Sequence, residues 1–282
     1  MLKRALVALL LLGLAGCSST QYFYNKLDWF AAQYVEHYVS LNDEQDAMLK
    51  QSVVKIRNWH RQEQIPAYIK NIDKTLQLKP QDVTPEKIKK EFTLIKDLSV
   101  QVAHQVIPEL YPLFMSLNQD QADELFAAMD KKYQDDLDEY KDLSEAEKRD
   151  KSAKKMEKML EEWLGDLSVQ QQALVSKWSV MRPLIAEDWI KQQQTNLSEL
   201  KVLWVQRNDS PEFKAKFVDS LLNTEKLYKP EFQQKLDKSE TITYDMLSDV
   251  IETMSPKQLE HYHDKLHEWR KILVGLQTQP EK

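Results

Sequence analysis

Ala122-Asp123-Glu124-Leu125-Phe126-Ala127-Ala128-Met129-Asp130-Lys131-Lys132-Tyr133-Gln134-Asp135-Asp136-Leu137-Asp138-Glu139-Tyr140 is the stretch that decides the fold class. Its large apolar residues, Leu125, Phe126, Met129, Tyr133, Leu137 and Tyr140, recur with Ala122 at steps of three and four, and the positions between are almost all Asp, Glu, Lys or Gln. At about 3.6 residues per turn such a sequence closes into a helix with one buried stripe and a charged outer face. Similar stripes run through Leu27, Phe30, Ala31, Tyr34, Val35 and Tyr38, through Leu49, Val53 and Ile56, and through Ile88, Phe92, Ile95, Leu98, Val102 and Val106. Others follow at Met156, Met159, Leu160 and Trp163, at Leu174, Trp178, Met181, Ile185 and Trp189, and at Leu259, Tyr262, Leu266, Trp269, Leu273 and Leu276. The tryptophans Trp59, Trp163, Trp178, Trp189 and Trp204 fall mostly at core spacing. The expectation is an all-α protein, an elongated or curved bundle of about eight to ten helices.

Composition agrees. The chain of 282 residues has 4 glycines, two of them at positions 13 and 16, which leaves Gly165 and Gly275 for turns beyond the leader. Hairpin sheets and glycine-rich phosphate loops both need more. One cysteine, Cys17, excludes a disulfide framework and a cysteine-rich zinc site. Net charge is −6, and it becomes more negative once Lys3 and Arg4 are lost with the leader, which argues against nucleic acid as a partner.

Prolines and caps punctuate the helices. Thr84-Pro85, Ser210-Pro211 and Ser255-Pro256 set a hydroxyl before a proline at the first helical position. Pro66, Pro108, Pro112 and Pro183 interrupt helical patterns and are expected to kink or split them. Gly165 reads as a left-handed cap between two helices.

Four segments share one form: Leu41-Asn42-Asp43-Glu44-Gln45, Leu117-Asn118-Gln119-Asp120-Gln121, Leu167-Ser168-Val169-Gln170-Gln171 and Met254-Ser255-Pro256-Lys257-Gln258. Each reads as a capping box. The Asn or Ser accepts from first-turn N–H groups, and the glutamine reaches back to the cap's own N–H. Leu143-Ser144-Glu145-Ala146-Glu147 is a fifth box, closed by Glu. Aligning Gln45 with Gln171 and Gln121 with Gln258 suggests an internal duplication with two box-started helices in each half. Amphipathic helices also align with one another by chance, so both explanations stand at this point.

Met1-Leu2-Lys3-Arg4 followed by the apolar run Ala5 to Leu12 and by Gly13-Leu14-Ala15-Gly16 has the layout of a secretory signal, too short to span a bilayer. Leu14-Ala15-Gly16-Cys17 resembles the lipobox of bacterial lipoproteins. That resemblance implies cleavage after residue 16 and acylation of Cys17, with Ser18 in the class that permits transfer to the outer membrane. The expected organisation is a signal peptide at 1–16, a lipidated tether at 17–21, a periplasmic helical domain at 22–276 and a flexible tail at 277–282. The lipid bilayer, through acylated Cys17, and envelope proteins are the expected partners.

Two further resemblances follow from the boxes and their neighbours. The four glutamine boxes look like the Leu-Thr-x-x-Gln motif of Spy- and CpxP-type periplasmic chaperones, with Asn or Ser in place of the threonine, and this implies holding of partly folded clients. The lipobox, Tyr24-Asn25-x-Leu27-Asp28-Trp29, Leu41 to Gln45, Trp59-His60-Arg61 and Ile65-Pro66-x-Tyr68 together are similar to a family of uncharacterised proteobacterial lipoproteins, domain-of-unknown-function family 6279. That family implies an anchored helical domain and supplies no activity.

Individual sites are few. Asp28, set beside Leu27 and Trp29, is expected to meet Arg57 or Arg61 on the next helix. His263-Asp264-Lys265-Leu266-His267 has two histidines four apart, with Glu260 as a third candidate zinc ligand, but Arg270 beside them opposes a divalent cation. Lys148, Arg149, Lys151, Lys154, Lys155 and Lys158 form a basic run that reads either as a contact for lipid phosphates or peptidoglycan carboxyls or as a solvated helix face. No nucleophile elbow or acid-base constellation is present. The functional expectation is therefore binding without catalysis and without a cofactor: a chaperone-like holder of envelope proteins, or alternatively an adaptor that docks one specific partner. A peptidoglycan-acting enzyme stands third.

Overall fold

A computed structural model describes residues 17–279, with side chains from residue 20 on. The leader at 1–16, the Cys17 side chain and residues 280–282 lie outside that range, and with them the cleavage and lipidation expectations. The described residues form α-helices with no strand among them. In chain order these are α1 (Cys17–Asn25), α2 (Leu27–Glu36), α3 (Asp43–Trp59), α4 (Ile65–Thr75), α5 (Pro85–Ser116), α6 (Gln119–Lys141), α7 (Glu145–Leu164), α8 (Val169–Met181), α9 (Ala186–Gln206), α10 (Pro211–Leu222), α11 (Pro230–Glu252) and α12 (Pro256–Gln277). A π-turn at His60–Gln64 joins α3 to α4, and short 3-10 turns lie at Pro80–Asp82 and Thr224–Leu227. Helix begins at Cys17 and runs to Gln277, so the 17–21 segment is helical and little of the described C-terminus is left over as tail. There are more helices than expected because the chain breaks at Lys26 and shifts register at the π-turn.

The helix starts follow the sequence closely. Thr84, Ser210 and Ser255 cap α5, α10 and α12 with proline as the first helical residue. All five boxes close in both directions. Among the interrupting prolines, Pro66 sits in the first turn of α4 and Pro183 in the break between α8 and α9. Pro108 and Pro112 split nothing, because both lie inside the continuous helix α5. Gly165 caps α7 at φ 74° and ψ −153°. That is positive φ as expected, but with ψ in a region essentially reserved for glycine and not in the ordinary left-handed well.

Three apolar clusters hold the helices. The largest joins Ile107, Tyr111 and Phe114 of α5, Ala122, Phe126 and Tyr133 of α6, Leu197 and Trp204 of α9, and Phe213 and Phe217 of α10. A second joins Leu160 and Leu164 of α7, Val175 and Trp178 of α8, and Met246 and Val250 of α11, with Tyr262 of α12 against it. A third, smaller one has Ile65 of α4 and Ile272 and Leu276 of α12, with Tyr24 of α1 packed on it. The first helix thus lies against the last. A methyl group at Gly275 of α12 would meet the Gln21 amide of α1, the far end of a flexible side chain that would have to move aside.

Not every stripe is buried. Ile88 and Leu98 of α5 are covered, but Phe92 and Ile95 are 45% and 46% exposed. The stripe there is wider than the contact that α11 offers it, and Phe92 is covered in part by the tilted Tyr244 ring, 5.3 Å away between centroids. Tyr34 and Met159 are likewise exposed.

Candidate functional site

The box glutamines do more than cap. In an ordinary box the side-chain Oε1 accepts from the cap N–H, which leaves the amide NH2 with two donors to satisfy. Gln45, Gln121, Gln171 and Gln258 are all buried, so those donors need partners inside the protein. They find each other. Gln45 Nε2 donates to Gln121 Oε1 at 3.0 Å and Gln121 Nε2 donates to Gln45 Oε1 at 2.6 Å. The remaining donors go to the chain just ahead of the opposite box, from Gln45 to the Ser116 carbonyl and from Gln121 to the Ser40 carbonyl. The second pair repeats this: Gln171 Nε2 donates to Gln258 Oε1 at 3.1 Å, Gln258 Nε2 to Gln171 Oε1 at 2.8 Å, and Gln258 also to the Asp166 carbonyl. Gln171 departs from the pattern by reaching back to Val250 O at 3.4 Å.

The pairs correspond under the alignment of Gln45 with Gln171 and Gln121 with Gln258. Their neighbours correspond too: α2 packs on α3 as α7 packs on α8, and α3 packs on α5 as α8 packs on α11. The fifth box, closed by Glu147, is exposed and caps only its own helix. A carboxylate has no donors left over, which is the physical difference between the boxes that pair and the one that does not.

Asp28, Arg57 and Arg61 meet as a charge cluster, though not all directly. Arg57 Nη1 lies 3.7 Å from Asp28 Oδ1 and donates to the Asn25 carbonyl at 2.7 Å. Arg61 instead reaches Asn25 Oδ1 at 3.4 Å and lies over the Tyr24 ring. Both guanidiniums are buried and the Nε of each has no hydrogen-bond partner. The partly exposed Asp28 carboxylate thus pairs with Arg57, while Arg61 is held by the Asn25 amide and the Tyr24 ring.

The π-turn brings His60 into the same cluster. Tyr24 Oη donates to the Arg57 carbonyl and lies 3.1 Å from His60 Nδ1. His60 is flanked by the Tyr24 and Tyr68 rings. Burial holds His60 neutral, pushed down to about 4, and raises Tyr24 to about 12 despite the Arg61 and Arg57 charges. The unfolded chain therefore binds a proton at His60 between pH 6.5 and about 4 while the folded one does not. The contribution of His60 to stability is complete above pH 6.5 and lost as pH falls toward about 4. We expect urea denaturation of the wild type to lose about 2 kcal/mol more between pH 7 and 5 than that of His60→Asn. Parallel pH dependences would refute the neutral buried imidazole.

On the other side of the π-turn, α3 and α5 leave an open groove of about 800 Å³ lined by Gln51, Val54, Asn58, Trp59, Gln62 and Gln105. It continues into a second hollow of about 540 Å³, which shares Trp59 and Gln105 and adds Gln64, Gln101 and His104. Buried Gln64 donates to Gln101, but its Oε1, like Asn58 Oδ1, has no partner. Pro108 has no N–H to give the His104 carbonyl. The lining is an indole among side-chain amides, with Lys50, Lys55 and Glu63 beside them, and the two unpartnered amide oxygens are buried beneath it.

Over residues 37–233 the sequence matches the model of a family of unknown function, DUF6279. The chain belongs to that family. No curated protein and no solved structure matches it. The DUF6279 match takes in Gln45, Gln121, Gln171 and the whole groove, and it stops before Gln258. In this DUF6279 chain the second glutamine pair is completed by a helix beyond the matched region.

The remaining candidates are not assembled into a site. Among the described residues no three His, Cys, Asp or Glu side chains stand together as a metal would require, so Glu260, His263 and His267 do not form a centre. Arg270 is engaged by Asp73 at 2.6 Å. The basic run is largely occupied: Lys148 pairs with Glu187, Lys151 with Glu139 and Lys154 with Asp150. Arg149 bonds the Ser179 and Arg182 carbonyls at the end of α8, a C-terminal cap supplied from another helix. The capping, the Asp28–Arg57 pair and the helical class were all legible in the sequence. The glutamine pairing, the π-turn and the groove were missed. The use of Gln in place of Glu at the box-closing positions was the available signal for the first.

Proposed function

We propose that this DUF6279 protein is a lipid-anchored envelope lipoprotein that docks one specific partner through the α3/α5 groove and does no chemistry of its own. The groove around Trp59 is the observation that carries the proposal. Side-chain amides both donate and accept, which matches the alternating N–H and C=O of an extended polypeptide. The indole offers a broad apolar platform beside them. The partner is thus an exposed, extended segment of an envelope protein. This adaptor reading is favoured over the chaperone-like holder because the box glutamines, which suggested the holder, are spent inside the fold.

The test is site-specific photocrosslinking in intact cells. A crosslinker at Gln105 is expected to give one discrete adduct, abolished when Gln51→Arg fills the groove. The same crosslinker at Glu161 on α7 is expected to give none. Diffuse adducts at both positions, together with suppression of client aggregation by the equimolar purified protein, would replace the adaptor with the holder.

A further inference from the structure

We infer that the outward face of α1 and α2 is a footprint on the membrane surface, where the rings of Tyr22, Phe23, Trp29 and Phe30 sit among the lipid headgroups. These rings form a continuous ladder, with centroids 6.0 Å apart from Tyr22 to Phe23, 4.9 Å from Phe23 to Phe30 and 4.8 Å from Phe30 to Trp29. Yet Tyr22 is 60% exposed, Phe23 41% and Trp29 49%. The two helices do have inner faces, and these are filled by other residues. Tyr24 packs into the third core cluster and Gln21 sits against Gly275, while Ala32 is buried on the α3 side of α2. The aromatic face is a second one, with no core cluster of the described residues against it.

An exposed cluster of large rings on a chain this charged marks a place of contact. Its position says with what. Helix α1 opens at Cys17, and Tyr22 lies about 7–8 Å along the axis from it at the helical rise. The chain that precedes the described residues ends there, at the cysteine whose surroundings read as a lipidation site. Rings with one polar edge, as in Trp and Tyr, favour the headgroup region, and an interfacial helix sinks only about 5–10 Å into it. Exposed Lys26 lies in sequence between Phe23 and Trp29 and can meet a lipid phosphate. No helix among the described residues is long and apolar enough to cross a membrane, so this contact lies on the bilayer without spanning it. The inference rests on the anchored reading for its choice of occupant.

The experiment uses the full chain, purified from cells and reconstituted into phosphatidylethanolamine and phosphatidylglycerol vesicles. Cys17 is the only cysteine, so once it is acylated a Gln33→Cys or Glu161→Cys variant carries the sole thiol for an environment-sensitive dye. The dye at Gln33 is expected to shift to the blue and to lose roughly half its emission to headgroup nitroxide lipids, with no loss at Glu161. Combining Gln33→Cys with Tyr22→Ser, Phe23→Ser and Trp29→Ser is expected to abolish that quenching while the protein still floats with the vesicles and melts as before. Equal quenching at Gln33 and Glu161 in protein that floats would overturn the footprint and leave the anchor standing. Failure of the anchor reads differently, since the wild-type protein would then take the dye at Cys17 itself. In that case flotation of the unacylated chain tests the rings directly, and a chain left wholly in the lower fraction would overturn the footprint too.

Discussion

Gln171→Ala is expected to lower the stability of the folded chain by about 3–5 kcal/mol, the largest effect of any single box substitution. Gln171 is fully buried. Its loss leaves the Ser168 N–H without the acceptor it now has at 3.0 Å and leaves one donor of Gln258 facing a hole. Each orphaned buried donor costs about 1–3 kcal/mol, and the cavity adds to that. Gln171→Glu separates the two roles of the side chain. Glutamate can still accept from the cap, but it cannot donate to Gln258 Oε1, so the variant should be nearly as damaged as the alanine one. Glu147→Ala, in the exposed box, should cost no more than about 1 kcal/mol. Chemical denaturation of the three variants checks this ordering, and a Gln171→Glu protein as stable as wild type would show that the paired amides contribute nothing beyond capping.

Asp28→Asn should cost about 3 kcal/mol, while Arg57→Met costs clearly less. The asymmetry follows from burial. Arg57 is 6% exposed and Asp28 31%, so removing the arginine leaves a carboxylate that water can reach. Removing the carboxylate instead leaves the buried Arg57 without its anion, and an uncompensated buried charge is the costly outcome. Arg57→Met also keeps much of the packing volume, though it leaves the Asn25 carbonyl without the bond it receives at 2.7 Å. Melting temperatures of the two variants at neutral pH are the readout. Equal losses would mean that the pair acts through packing alone.

Much of this was legible in the residues themselves. Periodicity marked the helices, and hydroxyl-proline and Asn or Ser boxes marked where they begin, because local backbone chemistry decides both. The alignment of the four boxes into two halves also anticipated which glutamines correspond. It did not say that Gln45 would face Gln121, because partner choice depends on tertiary packing that a five-residue motif does not encode. Pro108 and Pro112 were expected to kink or split their helix, and they do not split it, since a long helix held along its length by α3, α10 and α11 tolerates two missing N–H groups. Trp59 was assigned to the core by spacing. It stands at the end of α3, only partly buried, and the indole lines a groove.

The contact of Gln21 with Gly275 sets an order of events during synthesis. Among the described helices α12 is made after all the others, so the seat of α1 does not exist until α12 has been made. Gln171 waits in the same way for Gln258. Until then Tyr24 and the third core cluster lack their cover, and the incomplete chain exposes apolar surface around α1. A chain cut short before Pro256 would therefore lose two closures at once, one near each end of α12. A product truncated there, with its apolar surface left uncovered, is prone to aggregate.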